Sequence, residues 1–356
     1  MNARHRRTLL LAVLGLLGLT TAIQAETVMV AMRDGVKLAT DYYLPEGDGP
    51  FPVVLARSLY GRGGPDHALP WHAAGIAFVA QDTRGRGDSE GQDMVFATDG
   101  WGEKQDGADT VAWLLAQDWC NGKIGTFGPS ALSITQMLMA PATDDLSCQA
   151  LWATDSKFYG GLAYHGGVWR KSLCEGWLEW IKSPHIIDLW KSHTTDDEFW
   201  SYYNAEPLAP TITAPAVHIG GWWDIFQQGT LNNFVTRQYN GGEGAKGNQQ
   251  LVMGPWPHAP KQEVGDLLGW QSRVRTDTCW RALMRRGNSV AQKVMPAAPG
   301  WKKPGVPLGV LTHRRRWIYG LPSSCSSVIR VSPSEHGMQA ILVVFMGFSC
   351  FWVVPG

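Results

Sequence analysis

Three residues that together can activate a nucleophile each follow a separate apolar, β-branched segment of the sequence. Ser130 stands in Gly-Pro-Ser-Ala-Leu, Asp224 ends Gly-Gly-Trp-Trp-Asp, and His258 ends Gly-Pro-Trp-Pro-His. A serine hydroxyl attacks a carbonyl carbon efficiently only when a base removes its proton, and a histidine oriented by a carboxylate is such a base. The three residues therefore predict acyl transfer through a covalent serine intermediate.

The order of these residues along the chain carries more weight than any one of them. Gly-x-Ser is common by chance, and Leu132 stands where the strict Gly-x-Ser-x-Gly motif has its last glycine. A lone histidine such as His258 is usually structural, and Asp224 has a second candidate role, compatible with the first, as the N-cap of a helix predicted over 225–234. Serine, then aspartate, then histidine is nevertheless the order of the α/β-hydrolase triad. The competing acids all lie between Ser130 and Asp224: Asp155, Asp188, Asp196 and Asp197.

A site for acyl transfer also needs hydrogen-bond donors for the negative charge that develops on the carbonyl oxygen. A tight turn from a strand into a helix at Ser130 points the N–H of the next residue, Ala131, toward that charge. Tyr60 follows another apolar segment and is a candidate second donor through its phenolic hydroxyl. A tyrosine after a strand commonly serves packing, so its role stays open from the residues alone.

Alternating strand and helix patterns surround these residues and predict a doubly wound parallel α/β sheet. A hairpin is predicted over 28–45 around the Asp34-Gly35 turn, and the spacing of apolar residues predicts helices over 102–117 and 132–140. Within the first helix, Val111, Leu114 and Leu115 are expected on one face, with Ala108 one turn before. Short apolar runs predict the remaining strands, over 52–58, 76–81, 123–128, 216–219 and 250–253.

Beyond its N-terminus, the chain divides into four regions. Residues 26–144 and 211–270 carry the α/β pattern, and residues 145–210 interrupt it with a mostly helical segment that contains six tryptophans. An insertion between core strands commonly forms a cap over the site, although most of these tryptophans are expected to be ordinary core residues. Residues 271–356 differ in character, with isolated basic runs and an apolar stretch over 338–354. Length favours a buried strand over a membrane segment for that stretch.

The first 25 residues have the features of a secretory signal peptide. Arg4, Arg6 and Arg7 precede an apolar run over 9–19, and Ala25 ends a candidate cleavage site. An uncleaved membrane anchor is the alternative, but the run is short for a membrane span. Cleavage removes three arginines from a chain with 31 basic and 31 acidic residues, which leaves a net charge of −3. We therefore expect a periplasmic or secreted protein without stable membrane insertion, and its charge does not favour a nucleic-acid partner.

Cysteine spacing, metal motifs and phosphate-binding loops give no further candidate site. The six cysteines allow about 15 disulfide connectivities, and their spacing does not choose among them. No CxxC, HExxH or HxH pattern occurs, so we predict neither a structural metal nor a cofactor. The glycine-rich loop over 82–91 lacks the Lys-Ser/Thr of a phosphate-binding loop. We expect Arg84 and Asp88 to organise this loop beside the site instead.

Four further segments accompany the three triad motifs. They are Met-Arg-Asp-Gly-Val-Lys-Leu at 32–38, Arg-Ser-Leu-Tyr-Gly-Arg at 57–62, Gln-Asp-Thr-Arg-Gly at 81–85 and Trp-Cys-Asn-Gly-Lys-Ile-Gly at 119–125. Together these segments resemble the cocaine esterase and Xaa-Pro dipeptidyl-peptidase-like family of serine hydrolases. Relatives of that family include α-amino-acid ester hydrolases and glutaryl acylases. The resemblance is collinear and extends from about residue 27 to residue 260.

The resemblance implies an α/β-hydrolase fold with Ser130 as nucleophile and with Asp224 and His258 as its partners. It also implies Tyr60 as the side-chain oxyanion donor beside the N–H of Ala131, and a helical cap over about 145–210. Ala131 stands where the family often has tyrosine. Members usually carry a long β jelly-roll domain after the hydrolase core. Residues 271–356 do not follow that pattern, and we interpret them as a short β-type region, a truncated or frame-shifted remnant of such a domain.

These observations predict a serine hydrolase that cleaves a carboxylic ester or amide bond of a small-molecule substrate. Esterase or acylase activity is favoured over dipeptidyl-peptidase activity, because no residue marks a site for the free amino group of a peptide. Two other classes stay open: a catalytically impaired remnant that keeps the fold, and a membrane-associated protein held by a terminal apolar segment. Aromatic residues in the predicted cap favour an apolar or aromatic substrate. The sequence leaves the oligomeric state undetermined.

Overall fold

The computed structural model describes residues 25–258, and ten strands form within that part of the chain. Eight of them build one mixed sheet, while β7 and β8 form a separate short hairpin. The strands are β1 (Glu26–Ala31), β2 (Lys37–Tyr43), β3 (Phe51–Ser58), β4 (Ala77–Asp82), β5 (Cys120–Pro129), β6 (Leu146–Trp152), β7 (Tyr164–His165), β8 (Val168–Trp169), β9 (Ala216–Trp223) and β10 (Gln249–Pro257).

The strand order in the large sheet is β1-β2-β4-β3-β5-β6-β9-β10. β1 and β2 form the predicted antiparallel hairpin, and β2 is antiparallel to β4. The pairings from β4 through β3, β5, β6 and β9 to β10 are all parallel. The predicted doubly wound α/β fold is thus confirmed, and the carboxyl ends of six parallel strands lie along one edge of the sheet.

Helices cover both faces of the sheet, which explains why its central strands are continuously apolar. In β3, for example, Val53, Val54 and Leu55 are all buried although they alternate between faces. The helices are α1 (Pro65–His72), α2 (Asp106–Leu115), α3 (Ala131–Met139), α4 (Lys171–Trp180), α5 (His185–Ser192) and α6 (Gln227–Asn240). The sequence did not predict α1.

The apolar face of α2 differs from the sequence prediction at one position. Ala108, Val111 and Leu114 are buried, as a spacing of three residues requires on one side of a helix. Leu115 was expected on the same face, but it is 37% exposed. One residue corresponds to about 100° around a helix, so a leucine directly after a central buried position turns toward its edge.

The inserted segment, predicted to form a cap, begins later than the sequence predicted. Leu146–Trp152, assigned above to the start of the cap, is β6 and lies between β5 and β9 in the large sheet. Its polar residues hid the strand, because they form hydrogen bonds inside the protein: Gln149 is buried and its Nε2 donates to the carbonyl of Gln136 at 2.8 Å. The inserted segment therefore lies between Trp152 and Ala216.

Aromatic rings form the core of this inserted segment. Phe158, Trp190, Trp200 and Tyr203 are each at most 1% exposed, and their rings contact one another. Two of the six tryptophans are thus fully buried core, while Trp180 is 69% exposed and the other three are half-buried. Besides α4, α5 and the β7–β8 hairpin, the segment contains short helical turns at Tyr159–Ala163, Glu198–Tyr203 and Glu206–Thr211.

Buried arginines fix the loops at the carboxyl edge of the sheet. Arg84 pairs with Asp34 at 2.7 Å and with Asp106 at 2.6 Å, which ties the first hairpin to α2. Asp88 pairs instead with Arg62 at 2.8 Å. Arg84 and Asp88, expected to organise one loop together, therefore act through different partners on two sides of it.

Several sequence predictions fall outside the described residues. They are the signal peptide except Ala25, the region 271–356 with its apolar stretch, and the three cysteines Cys279, Cys325 and Cys350. Between residues 25 and 258, no helix combines the length and the apolar character needed to cross a membrane. The same residues contain no cluster of three histidine, cysteine or acidic side chains arranged to hold a metal ion.

Candidate active site

Ser130 stands at a sharp turn between β5 and α3. Its backbone has φ 55° and ψ −122°, a conformation that is rare for a residue with a side chain and that is often found at functional sites. The turn is possible because Gly128 has no Cβ: a methyl group there would lie 2.4 Å from the Cβ of Leu132. The Ser130 N–H donates to the carbonyl of Trp152 at 2.9 Å, which anchors the turn to β6. The hydroxyl is thereby held above the edge of the sheet, as the sequence predicted.

His258 directly follows β10, and its imidazole ring contacts both Ser130 and Asp224. Its Nε2 lies 2.9 Å from the Ser130 Oγ. Its Nδ1 lies 3.1 and 3.2 Å from the two carboxylate oxygens of Asp224. A carboxylate only accepts hydrogen bonds, so the hydrogen-bond pattern assigns the proton to Nδ1 and leaves the lone pair of Nε2 facing the hydroxyl. That is the tautomer a general base needs.

Asp224 follows β9 and is held rigidly. Its side chain is fully buried, and its Oδ1 also accepts the backbone N–H of Phe226 at 2.7 Å. The ring of Phe226 packs edge-on against the ring of His258, with centroids 5.2 Å apart. The helix predicted over 225–234 begins at Gln227 with Phe226 as its N-cap residue. Phe226 thus takes the N-cap position proposed for Asp224, whose side chain accepts the Phe226 N–H just before the helix.

The other acids considered from the sequence lie elsewhere. Asp155 follows β6, is buried, and accepts the backbone N–H of Lys157 at 3.2 Å. Burial raises the pKa of this carboxyl to about 7. The remaining three acids are exposed residues of the inserted segment: Asp188, Asp196 and Asp197. Only Asp224 among these five contacts His258 in the described part of the chain.

The two expected oxyanion donors both lie at the edge of the sheet that carries Ser130. Ala131 is the first residue of α3, where backbone N–H groups have no acceptor within the helix and the helix dipole favours negative charge. Tyr60 lies two residues beyond β3, which is the parallel neighbour of β5. Its hydroxyl oxygen lies 3.1 Å from the Nε1 of Trp177 on α4.

The phenol of Tyr60 is a competent donor at neutral pH. Burial raises its pKa above the ordinary value, although 44% of the residue is exposed. The hydrogen bond from Trp177 and the charge of Arg86 act in the opposite direction. The net direction is upward, so the hydroxyl keeps the proton that an oxyanion would accept.

Comparison with known proteins finds a family match over most of the described residues. The family model of the X-Pro dipeptidyl-peptidases (S15 family) matches residues 34–183 and 177–260. The chain belongs to this family. The S15 match includes all four side chains described above, from Tyr60 to His258. It also includes α4, which carries Trp177.

Individual relatives of this S15 member include hydrolases with different substrates. Cocaine esterase of Rhodococcus sp. (strain MB1 Bresler) is 29% identical over 293 residues, which cover 66% of this chain and 49% of that protein. A CocE/NonD family hydrolase from Staphylococcus aureus superposes with a TM-score of 0.59 at 22% identity, over 76% of this chain and 51% of that one. An α-amino acid ester hydrolase superposes with a TM-score of 0.54 at 21% identity, over 67% and 48%. The chain thus spans about half the length of these relatives.

Two contacts of this S15 site were not predicted from the sequence. Trp177 lies 117 residues along the chain from Tyr60, and the ring of Phe226 packs against His258, which follows a later strand. Both are aromatic residues in aromatic-rich segments, where periodicity does not separate a site residue from a core residue. Their place in segments that follow core strands was the one feature of the sequence that could have marked them as site residues.

Proposed function

We propose that this protein is a serine hydrolase that cleaves carboxylic ester or amide bonds through an acyl-enzyme intermediate. The observation that carries the proposal is the continuous contact from Asp224 through His258 to Ser130, with distances of 3.1 and 2.9 Å. Each of the three residues follows a different strand, so the fold and not the local sequence brings their side chains together. This arrangement supports nucleophilic catalysis and has no evident structural purpose at a sheet edge.

In the proposed acylation step, the Ser130 Oγ attacks the carbonyl carbon while the Nε2 of His258 takes its proton. The carboxylate of Asp224 stabilises the imidazolium that forms. The N–H of Ala131 and the hydroxyl of Tyr60 donate to the oxyanion of the tetrahedral intermediate. His258 then gives the proton to the leaving oxygen or nitrogen, and the carbonyl re-forms as an ester with Ser130.

In deacylation, a water molecule takes the place of the leaving group. His258 removes a proton from the water as it attacks the acyl carbon, and the same two donors stabilise the second oxyanion. The proton returns to the Ser130 Oγ when the acid product leaves. These residues supply every proton transfer in the cycle, so the proposed reaction requires no cofactor.

Peptidase activity is the second candidate, because the matching family is described as X-Pro dipeptidyl-peptidases. The same triad would cleave an amide after proline, but such an enzyme must also bind the free amino group of its substrate. We assign none of the described residues to that amino group, so we place ester or simple amide hydrolysis first. A catalytically impaired chain that keeps this fold is the remaining alternative.

Hydrolysis of p-nitrophenyl acetate and butyrate by the purified full chain and by Ser130→Ala tests the proposal. We expect wild-type turnover that falls at least about 10⁴-fold in Ser130→Ala. Ser133→Ala is the matched control, because Ser133 lies on the same helix, is fully buried, and its hydroxyl oxygen has no hydrogen-bond partner among residues 25–258. It should keep wild-type turnover within about twofold.

Three outcomes are informative. Turnover retained by Ser130→Ala would refute the assigned nucleophile. A folded wild type that is inactive on both esters but releases p-nitroaniline from an X-Pro-p-nitroanilide would favour the peptidase. Inactivity on all of these substrates, with the fold intact by circular dichroism, would favour the impaired chain.

A further inference from the structure

The proposed oxyanion donor Tyr60 is held by a residue of the cap. The Nε1 of Trp177, on α4, lies 3.1 Å from the hydroxyl oxygen of Tyr60. An indole N–H can only donate a hydrogen bond, so the phenolic oxygen is the acceptor. The proton of the phenol must then point away from the indole. Trp177 therefore selects the rotamer of the hydroxyl that leaves its proton available to another acceptor.

The indole ring of Trp177 packs against a segment whose backbone has an unusual conformation. Its ring stacks on the ring of Phe96, with centroids 5.7 Å apart and planes within 5°. Phe96 and the preceding Val95 are buried and have φ of 69° and 38°. Positive φ is a clear outlier for a β-branched residue and is tolerated only where the surroundings enforce it.

Asp93 enforces this conformation and links it to the other side of Tyr60. Its Oδ1 accepts the N–H of Val95 at 3.1 Å, and its Oδ2 accepts from Arg86 at 3.1 Å. The Nε of Arg86 donates to the carbonyl of Leu59 at 3.1 Å, which is the peptide group that precedes Tyr60. Asp93 thus connects the stack behind the indole to the backbone of the tyrosine.

The cap closes the same network. The Nη1 of Arg86 donates to the hydroxyl oxygen of Ser183 at 2.9 Å, and Ser183 in turn donates to Asp93. Ser183 follows α4 by three residues. One hydrogen-bond network, formed by Arg86, Asp93 and Ser183, therefore holds both the backbone beside Tyr60 and the segment on which Trp177 stacks.

We propose that Trp177 is a positioning residue that orients the phenolic proton of Tyr60 toward the oxyanion, so that the cap helix completes the active-site geometry. The inference rests on the proposed function, since it assigns a role within the same oxyanion site. A residue that acts in this way contributes to the transition state, where the charge develops, and little to binding of the ground-state substrate. Its removal should lower kcat and leave KM nearly unchanged.

Trp177→Phe tests the proposal, because phenylalanine can keep the stack on Phe96 but has no N–H. We expect kcat for p-nitrophenyl butyrate to fall about 10-fold, with KM within twofold. Trp180→Phe is the matched control: this tryptophan also contacts the ring of Tyr60, with centroids 5.3 Å apart, and is 69% exposed. It should retain kcat within about twofold. A loss confined to KM in Trp177→Phe would overturn the proposal.

A double-mutant cycle distinguishes positioning from a general structural role. Tyr60→Phe alone should lower kcat about 10²-fold. In the Tyr60→Phe background, Trp177→Phe should have no further effect, because there is no hydroxyl left to orient. An equal loss in both backgrounds would overturn the proposal, since it would show that Trp177 acts independently of the phenol. Loss of all turnover in Ser130→Ala, measured beside the cycle, establishes that the activity being compared is that of the proposed site.

An isosteric replacement covers the case in which Trp177→Phe does not fold. Benzothienylalanine at position 177 replaces the indole N–H by sulfur and keeps the bicyclic ring. It should reproduce the 10-fold loss in kcat with an unchanged melting temperature. It should also weaken inhibition by an aryl boronic acid, whose tetrahedral adduct places an oxygen in the oxyanion site, by about 10-fold. Full activity and unchanged boronate inhibition in this variant would overturn the proposal.

Discussion

Replacing Asp224 with asparagine changes the charge beside His258 and preserves the shape of the side chain. The carboxylate has no exposed surface and contacts the imidazole Nδ1 with both oxygens. Its Oδ1 also accepts the N–H of Phe226 at 2.7 Å. An asparagine that keeps this bond places its NH₂ group at the position of Oδ2, which lies 3.2 Å from Nδ1. That donor opposes a proton on Nδ1 and favours its move to Nε2, the atom that faces Ser130.

The magnitude of this effect follows from the distance. Two unit charges 3.1 Å apart interact by about 5 kcal/mol at the effective dielectric constant of about 20 that suits protein sites. That is the stabilisation lost when the imidazolium forms beside a neutral amide, and it corresponds to a rate decrease of about 10⁴-fold. The equivalent substitution in the triad of a serine protease lowers kcat by a similar factor.

The assay is steady-state hydrolysis of p-nitrophenyl butyrate by wild type, Asp224→Asn and the control Asp155→Asn. Asp155 is a buried carboxyl that follows the strand beside β9 but has the backbone of Lys157 as its partner. An asparagine there can still accept that bond. We expect kcat to fall about 10⁴-fold in Asp224→Asn and less than about threefold in Asp155→Asn. KM should change little in either variant, because neither carboxyl contacts the substrate in the proposed mechanism.

A folded Asp224→Asn variant that loses less than about 10-fold in kcat would refute this reasoning. So would a larger loss in Asp155→Asn than in Asp224→Asn, since it would place the triad acid after β6 instead of after β9. Thermal unfolding of each variant, followed by near-ultraviolet circular dichroism, separates these outcomes from a loss of structure.

Two further predictions concern stability. Gly128→Ala should destabilise the protein by about 2 kcal/mol or more and lower its melting temperature by several degrees. Gly128 has φ 143°, and the new methyl group would lie 2.4 Å from the Cβ of Leu132. An unchanged melting temperature would contradict the tight turn. His218 is fully buried, and burial lowers its pKa from 6.5 to about 3, so the native state binds fewer protons than the unfolded state between these values. The free energy of unfolding should therefore fall as pH decreases from about 6.5 toward 3. Urea denaturation at several pH values should show a flatter dependence for His218→Gln. An equally steep dependence in the variant would contradict the lowered pKa of His218.

The sequence singles out three residues that the structure places in contact, but it predicts the boundaries of the elements around them less well. Ser130, Asp224 and His258 could be found because each follows a strand, and parallel strands bring their carboxyl ends together whatever the intervening chain does. The fold class followed from the same alternation of strands and helices. The start of the inserted segment could not be found, since β6 contains a buried glutamine and a half-buried serine that resemble an exposed segment in the sequence alone.

Contacts between distant aromatic residues could not be predicted for a different reason. Trp177 can contact Tyr60, as it does here, or be buried in the core, as Trp190 is. The position of α4 against the sheet decides between these arrangements, and the apolar pattern of α4 is the same in both. The strained conformation at Val95 and Phe96 was equally hidden. Neither residue belongs to a type that favours positive φ, so the hydrogen bond that the Val95 N–H donates to Asp93, together with the surrounding packing, explains it.

The most direct test of the account is the identity of the residue that a fluorophosphonate labels. Such probes react with a serine hydroxyl that a neighbouring base has activated and form a stable phosphonyl ester. We expect one adduct per chain, located at Ser130 by peptide mass spectrometry. That adduct should be absent from Ser130→Ala and form at least about 10³-fold more slowly in His258→Ala. A folded wild type that is not labelled, or an adduct on a different residue, would contradict the claim that Ser130 is the nucleophile.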